Sequence, residues 1–100
     1  MNSIDTATLA ALDRTIVIDV REEYEFIAGH VPGAINLPLS ELTSRLDEVP
    51  RDEPIYIICE HGHRSAQAAE WLRGNDIDAT NVIGGTTAWR SSGLPITVGN

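Results

Sequence analysis

Two short apolar runs constrain the fold more than any other feature of this chain. Ile16-Val17-Ile18-Asp19-Val20 and Ile55-Tyr56-Ile57-Ile58 are rich in β-branched residues and lack apolar/polar alternation. Each reads as a strand covered on both faces, the pattern of a parallel sheet packed between helices. Asn81-Val82-Ile83, which ends in Gly84-Gly85, and Ala34-Ile35-Asn36, which follows the turn Val31-Pro32-Gly33, are two further strand candidates. Helix-like stretches lie around them at Thr6–Leu12, Glu22–Ala28, Ser40–Asp47, Ser65–Arg73 and Thr86–Ser91. This alternation predicts an α/β domain, a central, mostly parallel sheet flanked by helices on both faces. In the fourth helix Ser65 is expected as the N-cap, Ala66, Ala69, Trp71 and Leu72 as the apolar face, and Gly74 as the C-terminal cap.

The chain has 100 residues, 42% of them apolar, which supports one core and therefore one domain over residues 1–100. No linker, repeat or low-complexity stretch divides it, and only the termini read as expendable. A single cysteine, Cys59, excludes an internal disulfide, a cysteine-based zinc site and a dithiol redox motif. The net charge is −8, and all seven basic residues are arginines, so lysine Schiff-base chemistry is excluded. That balance argues against nucleic acid or an anionic membrane surface as partner. Residues 1–15 lack the basic start and apolar stretch of a signal peptide, and a reducing, cytoplasmic setting is the expectation.

The chemistry concentrates at Cys59-Glu60-His61-Gly62-His63-Arg64-Ser65, which joins a buried strand to a helix at the carboxyl end of the sheet, where open α/β folds place ligands. Successive backbone N–H groups in such a loop form an anion-binding nest, with Gly62 permitting a positive φ. A thiol at its mouth is expected to ionise easily, the helix dipole assisting. Glu60 opposes this, but two charges about 4 Å apart in water interact by only ~1 kcal/mol. Each hydrogen bond to a charged group contributes ~1.5–3 kcal/mol. The nest therefore sets the thiolate, and Glu60 is left to tune substrate approach.

Three stretches together resemble the single-domain rhodanese sulfurtransferases. Ile18-Asp19-Val20-Arg21-Glu22 through Glu25-Phe26, with Gly29-His30-Val31-Pro32-Gly33-Ala34-Ile35-Asn36, is similar to that family's N-terminal signature. Cys59 through Ser65 resembles its active-site loop, and Gly84-Gly85 through Ala88-Trp89, followed by Ser92-Gly93-Leu94-Pro95, its C-terminal signature. They span residues 16–95 in the family's order. The resemblance implies a rhodanese-like fold and a double displacement at Cys59. Its thiolate takes the outer sulfur of a donor such as thiosulfate, and a thiol or cyanide removes it. It also implies a substrate cradle formed by Glu60, His61, Gly62, His63, Arg64 and Ser65. The partners expected are a small anionic sulfur donor and a thiol, cyanide or protein acceptor. Two other readings use the same thiolate: a sulfur-relay or redox-sensing module, and a cysteine phosphatase or arsenate reductase. Four residues separate Cys59 from Arg64, one fewer than in the phosphatase loop, which favours sulfur over phosphate. Some thiosulfate-handling members carry cationic side chains in this loop, where this chain has Glu60, His61 and His63.

Other candidates have plainer readings. Arg64 either contacts an anionic substrate or pairs with a carboxylate and shapes the loop. Asp19 and Arg21 read as a structural ion pair, and His30, within turn chemistry, as a partner of backbone groups. His61 and His63 have no third ligand in reach, so no metal is expected, nor any organic cofactor. Trp71 and Trp89 read as core.

Overall fold

The computed structural model describes residues 2–100. Five parallel strands form one sheet: β1 (Ser3–Ile4), β2 (Ile16–Asp19), β3 (Ile35–Asn36), β4 (Ile55–Ile58) and β5 (Ala79–Val82), in the order β1-β5-β4-β2-β3. The helices are α1 (Thr6–Ala10), α2 (Glu23–Ala28), α3 (His63–Arg73) and α4 (Gly85–Ser91). β2 and β4, the two apolar runs, lie side by side with Ile16 opposite Ile55 and Asp19 opposite Ile58.

Strand geometry sends successive side chains to opposite faces, and two cores result. On one face Ile18, Val20, Ile55, Ile57, Cys59 and Ala79 pack with Ala68, Ala69 and Leu72 of α3 and with Leu42 and Val49. On the other, Val17, Ile58 and Val82 pack with Leu9 of α1 and Trp89 of α4. Each fully buried Ile or Leu side chain contributes roughly 1.5–3 kcal/mol by leaving water.

Four expectations need correction. Ser40–Asp47 is not a helix: two 3-10 turns, Leu39–Glu41 and Leu46–Glu48, replace it. Pro38 and Pro50 bound the segment, and the Ser44 hydroxyl donates to the Glu41 carbonyl at 3.0 Å, competing with helical bonding there. Ser65 is not the N-cap of α3, which begins two residues earlier, with Gly62 capping it at φ 96°. Trp71 is 37% exposed, whereas Trp89 is buried and donates its indole N–H to the Pro95 carbonyl at 2.7 Å. The termini are not loose ends. β1 pairs with β5, and Thr97 exchanges both backbone hydrogen bonds with His30, at 2.8 and 2.9 Å. Among the described residues no helix is long and apolar enough to cross a membrane.

Candidate functional site

Cys59 leaves the end of β4 at the carboxyl edge of the sheet, and the following residues curl back over its sulfur. Sγ accepts the backbone N–H of Gly62 at 3.1 Å and of Ser65 at 3.3 Å, and the Ser65 hydroxyl lies 3.2 Å away. The residue is only 1% exposed and belongs to the α3-side core. Burial pushes the thiol pKa up. The hydrogen bonds from the Ser65 hydroxyl and from the N–H groups of Ser65, Gly62 and His61 outweigh it, so the pKa lies below its ordinary value. The loop thus favours negative charge on one buried sulfur.

Gly62 makes this curl possible. Its positive φ suits glycine, and a Cβ there would lie 3.1 Å from the Gly84 nitrogen and 3.3 Å from the Val82 carbonyl oxygen. Ser65, displaced from the cap, sits in the first turn of α3 and turns inward, donating its hydroxyl to Asn81 Oδ1 at 2.6 Å. The Asn81 side-chain amide in turn donates to the Gly62 carbonyl at 3.3 Å. Asn81 was read only as a strand residue. A polar side chain in the strand next to Val82 is the available signal, because a half-buried amide must find partners.

The amino end of α4 closes the loop from behind. Thr86 donates its N–H and its hydroxyl to the Cys59 carbonyl at 2.8 and 3.0 Å, and Thr87 donates its N–H to the Glu60 carbonyl at 3.0 Å. Gly85 allows this approach: with φ +60°, a Cβ there would stand 2.5 Å from the Cys59 carbonyl oxygen and 2.6 Å from that of Glu60.

The charged residues near the loop neutralise one another. Arg21, buried, binds Asp19 at 2.8 Å, the Gly29 carbonyl at 2.8 Å and Glu60 at 3.0 Å, so the Asp19–Arg21 pair is structural as read. Glu60 also accepts the Thr87 hydroxyl at 2.6 Å and lies 3.7 Å from Arg90. Burial raises the Glu60 pKa, but the bonds from Thr87 and Arg21 and the charges of Arg21 and Arg90 bring it below the ordinary value. Its carboxylate is occupied as a brace between β2 and α4. Arg64 makes the carboxylate pairing that was one of its two alternatives: it grips Glu25 bidentately, both contacts at 2.9 Å, and its hydrogen bonds hold that carboxyl at about 2. His61 and His63 are exposed beside the loop. His30 bonds the Phe26 carbonyl at 2.7 Å and stacks on the Phe26 ring, a partner of a backbone group as expected.

Compared with known proteins, the chain matches the Rhodanese-like domain family over residues 5–92. The chain belongs to the rhodanese-like family. It is 34% identical to a protein of Allochromatium vinosum named sulfurtransferase, the match covering 96% of this chain and 94% of that one. The uncharacterized protein YqhL of Bacillus subtilis is 45% identical over 73% of this chain, and the match spans 59% of that protein's length. Among solved structures, a rhodanese-related protein from Thermoplasma volcanium superposes with a TM-score of 0.89 at 35% identity, covering 98% of this chain and 99% of the other. These relatives place the rhodanese-like domain in a sulfurtransferase-type family.

Proposed function

We propose that this rhodanese-like domain transfers sulfane sulfur through a persulfide on Cys59. The observation that carries this reading is the convergence of backbone N–H groups on Sγ, which favours a thiolate and, after sulfur uptake, cradles an anionic terminal sulfur. In the first half-reaction the Cys59 thiolate attacks the outer sulfur of the donor. With thiosulfate the S–S bond breaks and sulfite leaves with the bonding electron pair. In the second, a thiol or cyanide takes the outer sulfur and Sγ returns to thiolate. Backbone N–H groups of residues 60–65 form the cradle, while Glu60 and Arg64 act on its shape. Nothing in this cycle calls on nucleic acid or a membrane surface, and a reducing compartment such as the cytoplasm keeps the lone thiol available.

The arginines beside the loop favour one donor class. Arg21, Arg64 and Arg90 each have a carboxylate within 3.7 Å, so a dianion such as thiosulfate meets little uncompensated positive charge. A persulfide borne on a small thiol or a protein suits this loop better than thiosulfate. The decisive experiment is intact mass after incubation with thiosulfate and with a small-thiol persulfide. One added sulfur is expected at Cys59, removable by cyanide and absent in Cys59→Ser, with the persulfide loading at higher kcat/KM. Full sulfurtransferase activity in Cys59→Ser would refute the mechanism.

A further inference from the structure

A surface helix ordinarily turns its apolar stripe inward and leaves polar residues in water. α2 departs from this. Phe26 is buried, yet Tyr24, Ile27 and Ala28, spaced three and four residues apart and so sharing one face, are all exposed. Tyr24 is 76% exposed, and the C-terminal segment adds Val98, 72% exposed, where the Gly99 N–H bonds the Ile27 carbonyl at 2.8 Å. This face adjoins the reactive loop. Tyr24 shares the first turn of α2 with Glu25, whose carboxylate grips Arg64, and the next residue, Ser65, holds Cys59 Sγ through its N–H.

Charge decides what surface is complementary to it. α2 carries Glu23 and Glu25 and no basic residue, and Glu23 is exposed with no ion-pair partner among the described residues. The nearby cations are engaged: Arg64 by Glu25, and Arg90, whose guanidinium passes Gly29, by Glu60 at 3.7 Å. A second copy of this chain brings the same charge of −8, and an anionic lipid or nucleic acid surface is also negative, so each is repelled. An apolar contact ringed by lysine or arginine matches both features of the face.

We propose that the α2 face docks a cationic protein that receives sulfur from Cys59, its acceptor thiol set beside a basic, partly apolar surface. Tyr24 is the anchor, a residue type enriched among those that carry interface energy, and Glu23 steers the approach. The acceptor role rests on the persulfide reading above, in which the acceptor thiolate takes the outer sulfur and the bonding pair returns to Sγ. Docking itself does not need the persulfide.

The test uses a short peptide rich in arginine and leucine with one cysteine, and its counterpart with glutamate in place of arginine. Binding is read from the backbone amide shifts of the unloaded protein, with serine replacing the peptide cysteine. The arginine peptide is expected to shift residues 23–28 and 97–99, the glutamate peptide to leave them unmoved, and Tyr24→Ser to abolish the response. Sulfur transfer from the polysulfide-loaded protein should run roughly tenfold faster to the arginine peptide than to the glutamate peptide at low salt. The difference should vanish at about 1 M salt, where charges are screened beyond about 3 Å. Tyr24→Ser should lose most of this preference while keeping the wild-type rate with glutathione. Shifts that avoid α2, equal responses to the two peptides, or shifts that follow protein concentration with no peptide present, the sign of a second copy on this face, each overturn the docking. Docking without faster transfer overturns the acceptor role, as does an equal loss of the glutathione rate in Tyr24→Ser. If Cys59 takes up no sulfur, the persulfide reading falls and the acceptor role with it, while the amide shifts still decide the docking.

Discussion

Ser65 has one hydroxyl proton and two acceptors, Asn81 Oδ1 at 2.6 Å and Cys59 Sγ at 3.2 Å. When Cys59 is a neutral thiol, the proton belongs to Asn81 and the thiol donates to Ser65. When Cys59 is a thiolate, the hydroxyl turns toward the anion. A hydrogen bond to a charged acceptor contributes ~1.5–3 kcal/mol, and giving up the Asn81 bond costs ~1 kcal/mol, leaving ~0.5–2 kcal/mol in favour of the thiolate. At 1.36 kcal/mol per pKa unit, Ser65→Ala should raise the Cys59 pKa by roughly half to one and a half units. The N–H groups of Gly62 and Ser65 remain, so ionisation persists at higher pH. Since Cys59 is the only cysteine, the far-ultraviolet absorbance of the thiolate against pH reads one site directly. Ser65→Thr, which keeps the hydroxyl, should titrate near the wild type. A midpoint unchanged or lowered in Ser65→Ala, with folding verified by circular dichroism, would refute this assignment of the proton.

Two further substitutions probe the loop's supports. Gly85→Ala forces a left-handed residue, at roughly 1–2 kcal/mol, and drives a methyl into the carbonyls of Cys59 and Glu60. The expected outcome is a Tm lower by several degrees together with a fall in sulfur-transfer kcat, and an unchanged protein would mean that α4 does not hold the loop. From sequence alone, Glu60→Lys is expected to ease thiosulfate binding, but with Glu60 bound to Arg21 and Thr87 it places an ammonium beside a buried guanidinium. Thermal unfolding should show a loss of about 2 kcal/mol, the cost of breaking such charged contacts, and a lower thiosulfate KM without loss of stability would restore the simpler reading.

The sequence carried the sheet and the reactive loop because both depend on near neighbours. Ile16–Val20 and Ile55–Ile58 carry apolar side chains toward both faces, and burial on both faces accounts for that. Cys59 through Ser65 announces itself by the glycine in a strand-to-helix turn. What stayed hidden depends on partners distant in the chain. Glu60 looks like an exposed acid until Arg21, 39 residues earlier, is brought beside it, and Arg64 stays ambiguous until Glu25 arrives across an equal separation. β1 escaped notice because two residues carry no periodicity, and its place follows from pairing with Asn81 and Val82. Ser65 was misplaced because a hydroxyl preceding an apolar helical stretch is usually a cap, whereas here the left-handed Gly62 starts the helix earlier.

The contacts from α4 acquire a further meaning from the rigidity of the peptide group. A trans peptide is a plane with its carbonyl and its N–H on opposite edges, so fixing one edge aims the other. Thr87 holds the Glu60 carbonyl, and the N–H across that same plane is His61's, one of the groups that lower the Cys59 pKa. Thr86 does the same for the Cys59 carbonyl and the N–H of Glu60, and Asn81 for the Gly62 carbonyl and the N–H of His63. The residues that steer these donors, Asn81, Thr86 and Thr87, therefore stand 22 to 28 positions beyond the sulfur and never touch it, except through Ser65. Small changes in the last fifth of the chain are in effect changes to the aim of the loop.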